Sequence, residues 1–224
     1  MNPERPVLVF DLDGTLIDSV YQHVITWSAA LQQLGVNLSV WRIHRRIGMS
    51  GGLIAHALLR EAGRDLDDEV LRQLRDTHTA LYLASAEAIR PLPGARQLLE
   101  HLTKAGVPWA IASSGRRSTV QPMLNLLGVD EDTPVVTHDE VTHAKPDPDL
   151  FLEAARRLGS TAENLIIVGD SVWDLLAARR AQALGIGLLS GGYGREELET
   201  AGAYRVYDDP ADLLDHIDEI GIRT

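Results

Sequence analysis

Asp11 and Asp13 stand one residue apart in "DLDGT", directly behind the apolar run "VLVF" (Val7 to Phe10). Two carboxylates this close repel each other unless a cation or a shared proton relieves them. A plain strand-end turn is the alternative, because Asp and Gly both favour turns. A second acidic pair lies in "GDSVWD", where Asp170 ends another apolar run and Asp174 follows one helical turn later. Taken singly, that pair reads equally as an N-cap and a first-turn acid on the helix dipole. If both runs are parallel strands ending on one sheet edge, the acids converge. Such convergence calls for a hard, oxygen-preferring divalent cation, with Mg²⁺ the leading choice. His138 and His143 offer no competing zinc site, since they fall in loops without a His or acidic partner at a useful spacing.

Two further run ends supply the opposite charge. "SSGRR" (Ser113 to Arg117) follows "VPWAIA" and places hydroxyls and backbone N–H groups ahead of a helix, which suits an anion such as phosphate. Lys145 precedes the rigid "PDPDLF" helix start, and the chain contains only one other lysine, Lys104. A solvated surface lysine is the ordinary reading of such a residue, but its place before a fixed turn, downstream of a core run, favours a function.

These residues need elements to hold them. The apolar runs Val7 to Phe10, Val107 to Ala112, Pro134 to Thr137, Asn164 to Gly169, Gly185 to Leu189 and Tyr204 to Tyr207 read as strands. Helical patterns separate them. "GARQLLEHLTKAG" closes on a glycine, "DPDLFLEAARRLG" opens on an Asp147 N-cap with Pro148 in the first turn, and "SVWDLLAARRAQALG" ends on Gly185. Alternation of this kind predicts an α/β fold, a Rossmann-like, mainly parallel sheet with helices on both faces and ligands at the carboxyl ends of the strands. From Ile17 to Arg90 only helical patterns occur, and "RPLPG" marks the return to alternation. The expected organisation is a core of residues 1–16 and 91–224 with an inserted α-helical cap over residues 17–90. A helical side-lobe with no role in chemistry is the bland alternative. The glycine-dense "GGYG" (Gly191 to Gly194) lacks the spacing of a dinucleotide fingerprint.

Composition bounds the function. The chain has 224 residues, 45% hydrophobic and 24% charged, as in an ordinary globular protein. It has no cysteine and no apolar stretch of bilayer-spanning length, and "MNPERPVLVF" does not resemble a signal peptide. A cytoplasmic setting without membrane attachment is expected, with a monomer as the default. A net charge of −11 argues against nucleic-acid partners and requires a local cationic site for any anionic substrate.

The ordered set "DLDGT", "ASS", "KPDPDLF" and "GDSVWD" resembles the haloacid dehalogenase superfamily, and within it the branch of phosphoglycolate phosphatase and β-phosphoglucomutase. The likeness spans nearly the whole chain, including the helical insertion and the tail from Ser190 to Leu214. It implies a Mg²⁺-dependent phosphomonoesterase acting on a small phosphorylated metabolite. Asp11 would be the nucleophile, forming an aspartyl-phosphate, and Asp13 the general acid and base. Mg²⁺ would be held by Asp11, the Asp13 carbonyl and Asp170, with Asp174 acting behind them. Ser113, Ser114 and Lys145 would bind the transferring phosphoryl group, Lys145 also neutralising charge during transfer.

Relatives are distinguished residue by residue. Dehalogenases lack the second acid, and Asp13 is present. Phosphonoacetaldehyde hydrolases need a cap lysine, and residues 17–90 contain none. The mutase resemblance would place an arginine where "RRIGMSGGL" has Gly51, although Arg45 or Arg46 could substitute. In "WRIHRRIGMSGG", Arg45 and Arg46 are candidates for binding an anionic part of the substrate, as is Arg116 after the second motif; a solvated helix face is their alternative. His23 is read as structural, and Trp27, Trp41 and Trp173 as packing residues. A non-catalytic phospholigand-binding protein is the remaining class, disfavoured because no expected catalytic side chain is missing.

Overall fold

The computed structural model describes residues 6–222. The first five residues, part of the stretch used for the signal-peptide reading, and the last two of the expected core lie outside the described residues. The chain runs β1 (Val7–Phe10), β2 (Ile17–Asp18), α1 (Val20–Gln33), α2 (Val40–His44), α3 (Gly51–Glu61), α4 (Asp68–Ala84) and β3 (Arg90–Pro91). It continues through α5 (Ala95–Lys104), β4 (Trp109–Ser113), α6 (Arg117–Leu127), β5 (Val135–Thr137), α7 (Asp149–Arg157) and β6 (Leu165–Gly169). The last elements are α8 (Val172–Ala181), β7 (Leu184–Leu188), α9 (Arg195–Ala201), β8 (Ala203–Tyr207) and α10 (Pro210–Asp215).

Six strands form one parallel sheet in the order β5-β4-β1-β6-β7-β8. β1 lies where the winding reverses, with Leu8 opposite Trp109 on one side and Ile166 on the other. That is the position at which α/β sheets open a ligand crevice. The alternation of β1 explains its unbroken apolar run. Leu8 and Phe10 face the cluster of α5, α6 and α10, while Val7 and Val9 face that of α7 and α8. With both faces covered, every side chain of the strand is buried, and a residue such as Phe10 contributes about 1.5–3 kcal/mol.

Helices α1 to α4 form the inserted cap. Residues from Val20 to Leu74 make an apolar cluster of their own, to which no strand of the large sheet contributes. Asp67 caps α4 by accepting from the N–H groups of Glu69 and Val70 at 2.8 and 3.2 Å.

The structure corrects four local readings. The segment expected to lack strands begins and is followed by two short ones, because Ile17–Asp18 pair antiparallel with Arg90–Pro91. Asp147 does not cap α7; its carboxylate accepts from Arg180 at 2.9 Å, and Pro148 takes the cap position. α8 stops at Ala181 with Gln182 left-handed (φ 57°), so Gly185 belongs to β7, opposite Ile167. Trp41 is 60% exposed, with the Arg42 guanidinium over its ring at 4.8 Å, and does not pack in a core.

Candidate active site

β1 and β6 are hydrogen-bonded neighbours, so the acids that follow them meet. The Asp11 N–H donates to the Val168 carbonyl at 2.9 Å, and the Asp11 carboxylate is 2% exposed. Carboxylate oxygens of Asp11, Asp170 and Asp174 all lie within 4.8 Å of one another, and all three residues are buried. The Thr15 hydroxyl donates to Asp170 Oδ1 at 2.9 Å. Asp174 closes a capping box, accepting at Oδ2 from the Ser171 N–H and Oγ at 3.1 and 2.5 Å. Gly14 is left-handed (φ +82°), and a Cβ there would come within 2.5 Å of Asp170 Oδ2, so only glycine lets the loop cross this carboxylate.

Lys145 enters this cluster from the loop before α7. It is fully buried, donating from Nζ to Asp174 Oδ1 at 2.8 Å and lying 2.5 Å from Asp11 Oδ1. Burial would lower the lysine's pKa, but Asp11 and Asp174 more than reverse that and raise it. Burial pushes Asp11 up to about 7, with Lys145 opposing and Asp174 adding to the rise. Asp170 stands well above the usual carboxylate range for the same reasons: burial first, then Asp174 and Asp11. One ammonium thus faces three carboxylates. The donors are all oxygen, which fits a small divalent cation.

Asp13 has different surroundings. Its Oδ1 accepts from Ser19 Oγ at 2.6 Å and from the Tyr82 hydroxyl at 3.3 Å, and lies 3.2 Å from His23 Nε2. Burial would raise Asp13, but His23 and Ser19 outweigh it and bring the group to about 2. His23 Nδ1 is 3.2 Å from His78 Nε2, and Trp27 stacks on His78 with centroids 3.9 Å apart. Burial and the neighbouring His23 hold His78 well below the usual histidine range.

A pocket opens between the cap and the sheet edge. Asp11, Asp13 and Lys145 line it from the core, together with Ser114, Gly115, Arg116 and His138. His23, Trp27, Arg75, His78 and Thr79 line it from the cap. Ser113 is fully buried beneath it, its Oγ accepting from the Gly115 N–H at 3.0 Å, and the Ser114 hydroxyl donates to the Gly48 carbonyl of the cap at 3.1 Å.

The two candidate cap arginines lie elsewhere. Arg45 pairs with Glu197 of α9, with its guanidinium 4.8 Å above the Tyr193 ring, and Arg46 meets Glu61 at 3.3 Å. Arg45 is therefore a cap-to-core tie, reinforced by Tyr193 O–H donating to the Arg45 carbonyl at 3.2 Å. His143 does have an acid nearby, Asp149 Oδ2 at 3.4 Å, away from the pocket. Trp27 and His23 prove to be pocket residues as well as packing ones. Sequence reasoning missed Arg75, His78 and Tyr82. Their spacing puts them on one face of α4, where His78 interrupts the apolar stripe begun by Leu71 and Leu74.

Residues 6–182 match the family model of the haloacid dehalogenase-like hydrolases. The crystal structure of a hydrolase from Pseudomonas syringae superimposes with a TM-score of 0.95 and 49% identity, covering 97% of this chain and 100% of that one. Hexitol phosphatase A of Escherichia coli K12 is 32% identical over 77% of this chain and 78% of its own. N-acetylmuramic acid 6-phosphate phosphatase of Pseudomonas aeruginosa is 30% identical over 94% of each chain. With a family model matched across most of its length and relatives of this similarity, the chain belongs to the haloacid dehalogenase-like hydrolases.

Proposed function

We propose that the protein is a Mg²⁺-dependent phosphomonoesterase that cleaves small phosphorylated metabolites through an aspartyl-phosphate on Asp11. The observation that carries this reading is the contrast between its two acids. Asp11 is buried against Lys145 at the pocket floor, whereas Asp13, two residues on, is held by a separate set of donors facing the cap. One acid is placed to attack and the other to handle protons.

In the first step an Asp11 oxygen attacks phosphorus, the P–O bond to the leaving group breaks, and the departing alkoxide takes the proton that Asp13 shares with His23 Nε2, 3.2 Å away. In the second, Asp13 takes a proton from water as it attacks the same phosphorus, releasing inorganic phosphate and restoring Asp11. Lys145 balances the charge gathering on the phosphoryl oxygens, and Ser113 with the Ser114 N–H orients them. Mg²⁺, held by Asp11, Asp170 and the Asp13 carbonyl with Asp174 beside them, would supply the positive charge that lets a carboxylate approach a phosphate dianion. Residues 17–90 act as the cap, closing to exclude water and opening for release. With this reading we also propose a cytoplasmic enzyme, a monomer by default, whose partner is its substrate.

Hydrolysis of p-nitrophenyl phosphate, with and without Mg²⁺, tests the proposal. Turnover should vanish on chelation, return with Mg²⁺ and be absent in Asp11→Asn; activity persisting in that variant refutes the mechanism.

A further inference from the structure

The buried stripe of α4 runs Leu71, Leu74, His78 and Tyr82, and sets an imidazole where an aliphatic side chain would serve the packing. Aromatic neighbours fix the planes of the rings. Trp27 stacks on His78 with centroids 3.9 Å apart, and Tyr82 stacks on His23 at 4.0 Å. Held in this way, the two imidazoles meet through their nitrogens, His23 Nδ1 lying 3.2 Å from His78 Nε2. The other nitrogen of His23, Nε2, lies 3.2 Å from Asp13 Oδ1. Among the described residues no hydrogen bond joins His78 to Asp13 itself; the partners of that carboxylate are His23, Ser19 and Tyr82. In an imidazole, the hydrogen bond made at one nitrogen governs what the other can do. With Nδ1 engaged by His78, Nε2 is the nitrogen left for Asp13. His78 does not draw the proton away, because burial and the charge of His23 hold its pKa well below the usual histidine range.

We propose that His78 is a positioning residue for protonation of the leaving group: by engaging His23 Nδ1 it keeps His23 Nε2 against Asp13, where the proton for the departing alkoxide is held. The inference rests on the phosphatase reading above and adds a residue that acts through another. As the P–O bond breaks, the proton passes from the His23–Asp13 pair to the alkoxide oxygen. As water attacks the phosphoryl-enzyme, the proton it loses returns to the same pair. His78 keeps its bond to Nδ1 in both steps, so the His23 ring has no reason to turn between them. Trp27 and Tyr82 confine the rings, and the bond between the nitrogens selects one orientation of His23 out of two.

The test uses two esters of similar shape and equal charge, phenyl phosphate and p-nitrophenyl phosphate. p-Nitrophenolate departs readily as an anion, whereas the more basic phenolate depends on a proton. The readout is the ratio of kcat/KM for the phenyl ester to that for the p-nitrophenyl ester, which does not depend on the fraction of folded enzyme. His78→Phe keeps a ring between Trp27 and Tyr82 but offers no nitrogen, and should lower this ratio about tenfold, part of what general acid catalysis contributes. His78→Gln restores a polar group able to meet His23 Nδ1 and should return the ratio toward the wild-type value. In a His23→Gln background, His78→Phe should lower the ratio no further, because its effect passes through His23. An unchanged ratio in His78→Phe, with both esters falling in parallel, assigns His78 to packing alone and overturns the inference while leaving the phosphatase reading intact. So does a His78→Gln ratio no nearer the wild type than that of His78→Phe, or a full additional loss in the His23→Gln background. Failure of the wild type to hydrolyse either ester with Mg²⁺ present overturns both readings.

Discussion

Replacing Asp11 by Asn should abolish catalysis and stabilise the metal-free fold. The prediction begins with the burial of Asp11, which, opposed by Lys145 and reinforced by Asp174, raises its pKa from 3.8 to about 7. The native protein therefore holds a proton there that the unfolded chain has lost. Stability falls as pH rises from the unfolded value toward 7 and levels off above it. The difference of about three pH units corresponds to about 4 kcal/mol once the folded group ionises. Asparagine keeps the neutral shape and an oxygen for Lys145, so it escapes that penalty. Urea denaturation with a chelator present, from about pH 5 to about pH 8.5, should show the advantage of Asp11→Asn growing by about 2–3 kcal/mol up to pH 7 and then flattening. Saturating Mg²⁺ should narrow the gap, because the wild type gains about 2.7 kcal/mol at a hundredfold excess over Kd and the variant gains less. A difference independent of pH, or a variant less stable throughout in metal-free buffer, would refute the reasoning.

Lys145→Met leaves two buried carboxylates without their cation and should cost about 3–5 kcal/mol of stability by urea titration, along with all measurable turnover. His23→Gln removes the main group holding Asp13 near 2, so the limb of the kcat/KM profile on which Asp13 loses its proton should move to higher pH, and a limb that stays in place would show that His23 does not tune Asp13. Gly191→Ala would set a Cβ 1.8 Å from Asp170 Oδ2, and displacing that carboxylate should weaken Mg²⁺ binding at least about tenfold by isothermal titration. Arg45→Ala removes a half-exposed tie to Glu197 and should change global stability by less than about 1 kcal/mol, while amide exchange in α2 quickens.

What the sequence disclosed was what local chemistry encodes. An apolar run followed by a turn residue announces a strand end, so the convergence of Asp11, Asp170, Ser113 and Lys145 on one sheet edge followed once the strands were taken as parallel. Long-range pairing was less accessible. Arg45 and Arg46 have the look of substrate-binding cations, and only the fold shows that their acids stand 152 and 15 residues away. Asp147 has the signature of an N-cap, but Arg180, from a different helix, claims its carboxylate. Arg75 was hidden because a charged residue on an amphipathic helix usually faces solvent, and nothing local marks the one that faces a partner domain. The ladder between Ile17–Asp18 and Arg90–Pro91 is too short to leave a pattern of its own.

That ladder would constrain the cap motion proposed above. Two separate single-chain tethers would let a body of this size twist, slide and tilt independently. Here Ile17 and Asp18 lie in register with Pro91 and Arg90, and the Leu92 N–H donates to the Leu16 carbonyl at 2.9 Å just below them. The two connections are thereby fastened side by side into a flat strap. A strap bends readily across its width and resists shear along its length, so the opening motion proposed above would be reduced to rotation about one axis. Each such closure would return His23 and Tyr82 to the same carboxylate, without a search over orientations.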